Sequence, residues 1–94
     1  MYKIYVSYDM LNGKEDDCQR YFAQVLGPTM TRYGANVGEV WYTIWGQVPQ
    51  FQSGSIVETE EKLHRLLSSS KWQEALDGLE PLVTNLKVRA VRAN

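Results

Sequence analysis

The residues that build disulfides and metal sites are almost missing from this sequence. Cys18 is the only cysteine and His64 the only histidine among 94 residues. A single cysteine cannot form a disulfide within the chain, and a structural zinc site needs a Cys and His cluster that the sequence does not offer. The sequence therefore predicts no metal, no cofactor, and a reducing compartment such as the cytoplasm.

An excess of basic charge and a long apolar run are also absent. Ten Lys and Arg residues oppose eleven Asp and Glu residues, for a formal net charge of −1. Nucleic-acid binding draws on a basic excess, so we expect no nucleic-acid partner. No apolar segment approaches the roughly 20 residues of a membrane-spanning helix, and the first residues read as a strand rather than a signal peptide. We expect a soluble, cytoplasmic protein with no membrane partner.

The first strand and helix follow from hydrophobic periodicity. Residues 2–8 alternate in the way that is typical of a strand with one buried face. Asn12 and Glu15 have the spacing of a capping box, which predicts the start of a helix. The Gly27–Pro28 pair interrupts the apolar stripe of this helix, so we expect a kinked or broken helix that ends at Gly34.

A β-hairpin is predicted next. Residues 37–45 are rich in β-branched and aromatic side chains, and on this second strand Trp41 and Trp45 would share one face. Glycine and proline in residues 46–50 predict a turn, and residues 53–58 predict a weaker third strand.

The rest of the chain predicts a helix split in two and a last strand. Thr59 is placed to cap a short helix, and a run of three serines ends it. Ser70 and Gln73 have capping-box spacing for the next helix, whose buried side starts at Trp72. Residues 86–92 alternate and predict the last strand.

These elements together predict one α+β domain over residues 1–94. The order β-α-β-β-α-β, with a split second helix, is typical of the ferredoxin-like fold, in which helices cover one face of an antiparallel sheet. The uncovered face would include Tyr5 and an aromatic row of the second strand. Because so small a domain buries little surface, that face predicts a homodimer.

Two parts of the sequence resemble a known family. They are Arg32-Tyr33-Gly34-Ala35 leading into Val40-Trp41, and Ser69-Ser70-Lys71-Trp72-Gln73 leading into Leu79-Glu80-Pro81-Leu82. The chain resembles NIPSNAP-like proteins of the dimeric α+β barrel superfamily over nearly its whole length. The resemblance implies a homodimer whose two sheets face each other as a barrel. That superfamily includes cofactor-independent monooxygenases, haem-degrading enzymes and muconolactone isomerases, and the lack of a histidine after Trp72 in the last helix argues against haem.

Four aromatic residues form the candidate ligand site. Trp41 and Trp45 would line one wall of an apolar cavity between sheet and helices, and Tyr5 and Tyr42 would add phenol groups that orient an aromatic substrate. The alternative is packing against the helices or the partner, which is the commoner role of aromatic side chains.

Three basic residues are predicted on the non-core faces of the first and last strands. Lys3, Lys87 and Arg89 would bind an anionic group inside the barrel, or would pair with Glu39 or Glu58 across an interface. We favour the second alternative because charges of this kind commonly form polar rims.

The sequence leaves three functions open and does not decide whether the protein is an enzyme. The leading interpretation is a dimeric barrel of unassigned role that binds a small apolar or aromatic molecule. The alternatives are a cofactor-independent monooxygenase acting on an aromatic or quinol-like substrate, and a structural or protein-interaction module. No nucleotide-binding loop or Ser/His/Asp arrangement is present, and His64 is expected at the surface beside the leucine stripe.

Overall fold

The structure is an antiparallel sheet with helices on one of its faces. It is a computed structural model that describes residues 1–93. The strands are β1 (Tyr2–Met10), β2 (Ala35–Tyr42), β3 (Phe51–Val57) and β4 (Val83–Arg92). The helices are α1 (Glu15–Tyr21), α2 (Gly27–Arg32), α3 (Glu60–Leu67) and α4 (Ser70–Leu79). This order confirms the predicted β-α-β-β-α-β pattern with a split second helix.

The strands lie side by side in the order β2-β3-β1-β4. Each neighbouring pair is antiparallel. The central strands are therefore β1 and β3, and the edges are β2 and β4. This arrangement is the ferredoxin-like α+β fold that the sequence predicts.

Alternate residues of the central strands point into the core beneath the helices. Ile4, Val6 and Tyr8 of β1 are fully or almost fully buried, as the alternation predicts. The helical segments bury one stripe each against this surface. Their buried hydrophobic residues are Cys18, Leu26, Met30, Leu63, Leu66, Trp72, Ala75 and Leu79.

The first helical segment continues from Glu15 to Arg32, but it changes to a π-helical turn directly before the Gly27–Pro28 pair, where the sequence predicts a kink or a break. Phe22–Leu26 form a π-helical turn between α1 and α2, and Pro28 lies in the first turn of α2. Proline has no amide hydrogen to donate to the preceding turn, so the regular α-helical hydrogen-bond pattern is interrupted here. Gly34 follows with φ of +89°, the left-handed conformation predicted for this helix end.

The predicted capping box at the start of α1 is wrong. The residue before α1 is Lys14, and no side chain caps the helix. The Lys14 amide donates to the carbonyl of Leu11 at 2.8 Å, and Gly13 has φ of +85°. Asn12 therefore lies in a tight turn that the Asn-Gly pair favours.

The hydroxyls of short polar side chains cap the later helices, α3 and α4. The Thr59 hydroxyl accepts a hydrogen bond from the Lys62 amide at 3.2 Å, as predicted. The cap of α4 is Ser69, whose hydroxyl accepts from the Trp72 amide at 3.0 Å, and not Ser70. The predicted start of this helix is thus wrong by one residue.

The second strand starts two residues earlier and ends three residues earlier than the predicted range 37–45. It ends at Tyr42, and Trp45 lies in the following loop with 92% of its surface exposed. The Thr43 amide donates to the Gln50 carbonyl at 2.9 Å, which closes the loop directly after the strand. The prediction that Trp41 and Trp45 share one face of a strand is therefore wrong.

Candidate functional site

The sheet face turned away from the helices, which we call the outer face, carries three rows of side chains. Residues paired across antiparallel strands point to the same side of a sheet, so the pairing defines the rows. From β2 to β4 they are Asn36-Ile56-Lys3-Val91, Glu39-Gly54-Tyr5-Arg89 and Trp41-Gln52-Ser7-Lys87. Tyr5 thus stands in the central row on a central strand.

A hollow of about 230 Å³ opens beside Tyr5 on the side of β2. Gly54, next to Tyr5 in the central row, has no side chain, and the pairing of β2 is interrupted by a bulge at Gly38. A side-chain carbon added at Gly54 would lie 3.5 Å from Cε1 of Tyr5. That distance is an ordinary van der Waals contact, so a side chain added at Gly54 would lie against the Tyr5 ring and cover it. The two glycines therefore leave the Tyr5 ring accessible from this hollow.

The rest of the first hollow mixes apolar and charged groups. Ile56 adds an apolar side chain, and Lys3 and Glu39 add a cation and a carboxylate. A concave, partly apolar surface with few polar groups is typical of a small-molecule site.

A second hollow, of about 490 Å³, lies beside Tyr5 on the side of β4. The guanidinium carbon of Arg89 lies 5.0 Å from the centre of the Tyr5 ring, a cation–π distance. Ser7, Gln52 and Lys87 also line this hollow. All four polar side chains carry hydrogen-bond donors, and no carboxylate of the described residues lines it.

The structure brings together only two of the four predicted ligand-site residues. Tyr5 and Trp41 both lie on the outer face, where Trp41 is 39% exposed. Tyr42 pairs with Phe51 on the helix side, with ring centres 5.4 Å apart. Trp45 lies in the loop after β2. The predicted cavity wall of two tryptophans between sheet and helices is therefore not formed by these residues.

An aromatic cluster occupies the helix side of the sheet instead. The Tyr8 ring stacks on the Phe51 ring with ring centres 4.5 Å apart, and the Phe22 ring packs on the same Phe51 ring with centres 4.9 Å apart. Burial raises the pKa of Tyr8 far above its ordinary value, and the nearby Cys18 and Tyr42 add to the shift. Tyr8 therefore stays a neutral phenol. The buried hydroxyls without a hydrogen-bond partner among residues 1–93 are those of Tyr8, Ser53 and Ser55.

The two residues with the most reactive side chains are poorly placed for catalysis. The His64 side chain is 72% exposed, with Nε2 3.4 Å from Oε1 of Glu60, which confirms the predicted surface position. The Cys18 thiol donates to the Leu82 carbonyl at 3.1 Å, and burial raises the pKa of this thiol. A buried neutral thiol is a weak nucleophile. Within the described residues, no group of three His, Cys, Asp or Glu side chains could hold a metal ion.

The glycines of the first hollow are the site residues that sequence reasoning missed. Gly38 and Gly54 both fall inside predicted strands. An isolated glycine in a strand pattern indicates a bulge or a close backbone approach, and that signal marks both positions. The sequence predicted the outward orientation of Lys3, Lys87 and Arg89, which the pairing of the strands confirms.

Comparisons of the sequence itself found no match, whereas solved structures establish the fold. No protein-family model matches the sequence, and no curated protein matches it. None of the helices in the described part of the chain is long and apolar enough to cross a membrane.

Solved structures match the whole chain. A NIPSNAP domain protein from Burkholderia xenovorans shares 14% identity and a TM-score of 0.73, over 100% of this chain and 95% of that chain. A candidate antibiotic biosynthesis monooxygenase from Deinococcus radiodurans shares 19% identity and a TM-score of 0.79, over 100% and 93%. A NIPSNAP family protein from Agrobacterium tumefaciens shares 14% identity and a TM-score of 0.72, over 99% and 92%. The chain thus has the ferredoxin-like fold of NIPSNAP domain proteins and of candidate antibiotic biosynthesis monooxygenases.

Proposed function

We propose that this protein is a homodimer that binds a small apolar or aromatic molecule beside Tyr5 on the outer face of its sheet. The observation that carries this proposal is the hollow of about 230 Å³ between Tyr5 and the side-chain-free positions Gly38 and Gly54. The proposed ligand is the aromatic molecule that the sequence predicts. The proposed site lies on the outer face of the sheet, whereas the sequence predicted a site on the helix side.

The charges of the central row support pairing between two copies. Glu39 stands on one edge strand and Arg89 on the other. A two-fold axis parallel to the strands, between two facing sheets, would place Glu39 of each copy over the partner subunit's Arg89. Such self-complementarity is the requirement for an isologous dimer.

Apolar side chains of the outer face support the same arrangement. Trp41 and Ile56 are large hydrophobic residues that stand exposed on this face. Covering them with a second sheet removes their apolar area from water, which favours association. The family that the sequence resembles is one of dimeric α+β barrels, and pairing through the outer faces agrees with that resemblance.

The proposed ligand is aromatic because of the surfaces that the hollow offers. The Tyr5 ring and Ile56 provide apolar contact, and Lys3 and Glu39 provide polar groups that would orient a hydroxyl. Trp41 lies two residues after Glu39 on the same strand face, so its fluorescence should report on an occupant.

The test is an anaerobic fluorescence titration with hydroquinone. We expect saturable quenching that is smaller in Trp41→Phe and unchanged in Trp72→Phe, because Trp72 is buried on the other side of the sheet. Gly54→Val should abolish the saturable response by filling the hollow. A dimer without any saturable response would overturn ligand binding and leave the outer face as an interaction surface only.

A second candidate function is that of a cofactor-independent monooxygenase acting on a quinol-like substrate. It is supported by the name of the Deinococcus radiodurans protein and by the unpartnered Tyr8 hydroxyl beneath the helices. Oxygen uptake with hydroquinone would be measured for the wild type, for Tyr8→Phe, and for Tyr21→Phe as a matched control. A rate that depends on Tyr8 alone is expected, and uptake no faster than without protein would overturn this function.

The cellular location is proposed from the state of the cysteine. The only cysteine, Cys18, is a buried free thiol. Reducing compartments keep thiols in this state, so we propose a cytoplasmic protein.

A further inference from the structure

We propose that the second hollow, between Tyr5 and β4, binds the anionic group of a small aromatic carboxylate. The proposal rests on the dimer proposed above, and it names the class of its ligand. The hollow has a volume of about 490 Å³ and is lined by the donors of Ser7, Gln52, Lys87 and Arg89. A carboxylate is the group that such a set of donors recognises, and the planar guanidinium can bind it through two parallel hydrogen bonds.

The cations of this hollow have no carboxylate of their own. Among residues 1–93, neither Lys87 nor Arg89 forms an ion pair within 4 Å. The pKa of Asp9 is lowered mainly by hydrogen bonds from the Asn85 side chain and the Gln50 amide, and Lys87 adds a smaller lowering. Both oxygens of Asp9 already accept hydrogen bonds, from the Gln50 amide at 3.0 Å and from the Asn85 side chain at 2.9 Å.

Charge balance in the dimer calls for an anion from outside the chain. On the three rows of one outer face, the cations Lys3, Lys87 and Arg89 oppose the single carboxylate of Glu39. Pairing of Glu39 with the partner subunit's Arg89 leaves Lys3 and Lys87 against one further carboxylate, that of Asp9, which lines a neighbouring hollow together with Lys87. Each copy therefore keeps an excess of one cation, and enclosing it between two sheets costs free energy unless an anion compensates it.

The rest of the ligand is aromatic because Tyr5 lines both hollows. A ring placed against Tyr5 would carry its carboxylate toward β4, within reach of Lys87 and Arg89. A ligand carboxylate that binds Lys87 would leave Arg89 paired with the partner subunit's Glu39. Arg89 would then lie between the ligand carboxylate and the carboxylate of that glutamate.

The experiment is isothermal titration calorimetry of the full chain at neutral pH with benzoate and with benzamide, its uncharged isostere. We expect saturable binding of benzoate and at least about tenfold weaker binding of benzamide. Lys87→Gln and Arg89→Gln should each weaken benzoate binding by about tenfold or more. The matched control is Arg92→Gln, which removes the same charge from the opposite face of β4 and should leave the affinity within about twofold. Far-UV circular dichroism and the thermal midpoint would show that each variant is folded.

The possible outcomes distinguish failure of the anion site from failure of the homodimer. No saturable heat with benzoate, equal affinity for benzamide, or an equal loss in Arg92→Gln would overturn the anion site. If light scattering of the same samples shows a dimer, the homodimer stands without it. A monomer that binds benzoate with the expected dependence on Lys87 and Arg89 would overturn the homodimer alone, because one copy supplies every residue of this hollow.

Discussion

The carboxylate of Asp9 accepts a hydrogen bond of 2.9 Å from the side-chain amide of Asn85, and so ties the end of β1 to the start of β4. Its other oxygen accepts from the Gln50 amide at 3.0 Å, and the Gln50 side chain accepts from the Met10 amide at 2.7 Å. Asn85 has φ of +54°, a conformation that asparagine tolerates better than most residues. This network holds the loop after β2 against the end of β1.

Asp9→Asn should destabilise the protein in a pH-dependent way. The hydrogen bonds from Asn85 and Gln50, in that order of effect, lower the pKa of Asp9 in the folded state. A lowered pKa means a stabilising contribution that is present above the ordinary value of about 3.9 and is lost as the pH falls through the lower folded value. Urea unfolding at several pH values should therefore show a stability difference that shrinks toward strong acid.

The control for Asp9 is an exposed carboxylate of α1. Asp16→Asn, at an exposed side chain, should change the urea midpoint little. If Asp9→Asn and the wild type differed by the same amount at every pH, the stabilising role of the Asp9 charge would be refuted.

Gly78→Ala should destabilise the protein although alanine is the better helix former. In an exposed helix this change normally stabilises by up to about 1 kcal/mol. Here the added carbon would collide with the hydroxyl of Tyr21, which donates to the Ala75 carbonyl at 2.7 Å and joins α1 to α4. Chemical denaturation should show a lower midpoint for the variant.

A double variant isolates the cause of that loss. Removing the Tyr21 hydroxyl in Tyr21→Phe should itself cost about 1 kcal/mol through the lost hydrogen bond. Gly78→Ala should then cost less in the Tyr21→Phe background than in the wild type. Additive effects of the two changes would show that the hydroxyl is not what the alanine displaces.

Trp72→Ala should destabilise the fold far more than His64→Ala. Trp72 is 3% exposed in the core, and a large-to-small change of a buried aromatic residue costs about 3–5 kcal/mol. His64 is exposed, and its removal should change stability by no more than about 0.5 kcal/mol. Comparable shifts of the two urea midpoints would contradict the burial of Trp72.

Hydrophobic periodicity predicted the elements, because a buried face imposes its repeat on the sequence. The alternation of Ile4, Val6 and Tyr8 fixed both the strand and the face that leaves Tyr5 outside. Periodicity cannot show where a strand stops being paired. The end of β2 depends on a hydrogen bond between Thr43 and Gln50 across the loop, so the sequence alone extended the strand to Trp45.

The candidate site was only partly predictable for a related reason. The sequence indicated Tyr5 and the outward cations because each follows from its position in a strand. The hollows depend on which residues become neighbours across the sheet, and the pairing of Tyr5 with Gly54 and Arg89 joins three distant segments. A glycine in the sequence shows that a side chain is missing. It does not show which neighbouring groups become accessible there.

A charge exchange in the central row tests the contact between Glu39 and the partner subunit's Arg89 through which the two outer faces would pair. Arg89→Glu places two carboxylates opposite each other at both ends of the row and should weaken the dimer. Adding Glu39→Arg to Arg89→Glu restores opposite charges and should restore association. The control Arg92→Glu, on the other face of β4, should leave association unchanged.

The most direct measurement is the mass in solution, by light scattering at micromolar concentration. We expect twice the chain mass of 10.8 kDa for the wild type and the double variant, and a shift toward the single-chain mass for Arg89→Glu. A wild-type mass of 10.8 kDa under these conditions would contradict the pairing of the two sheets.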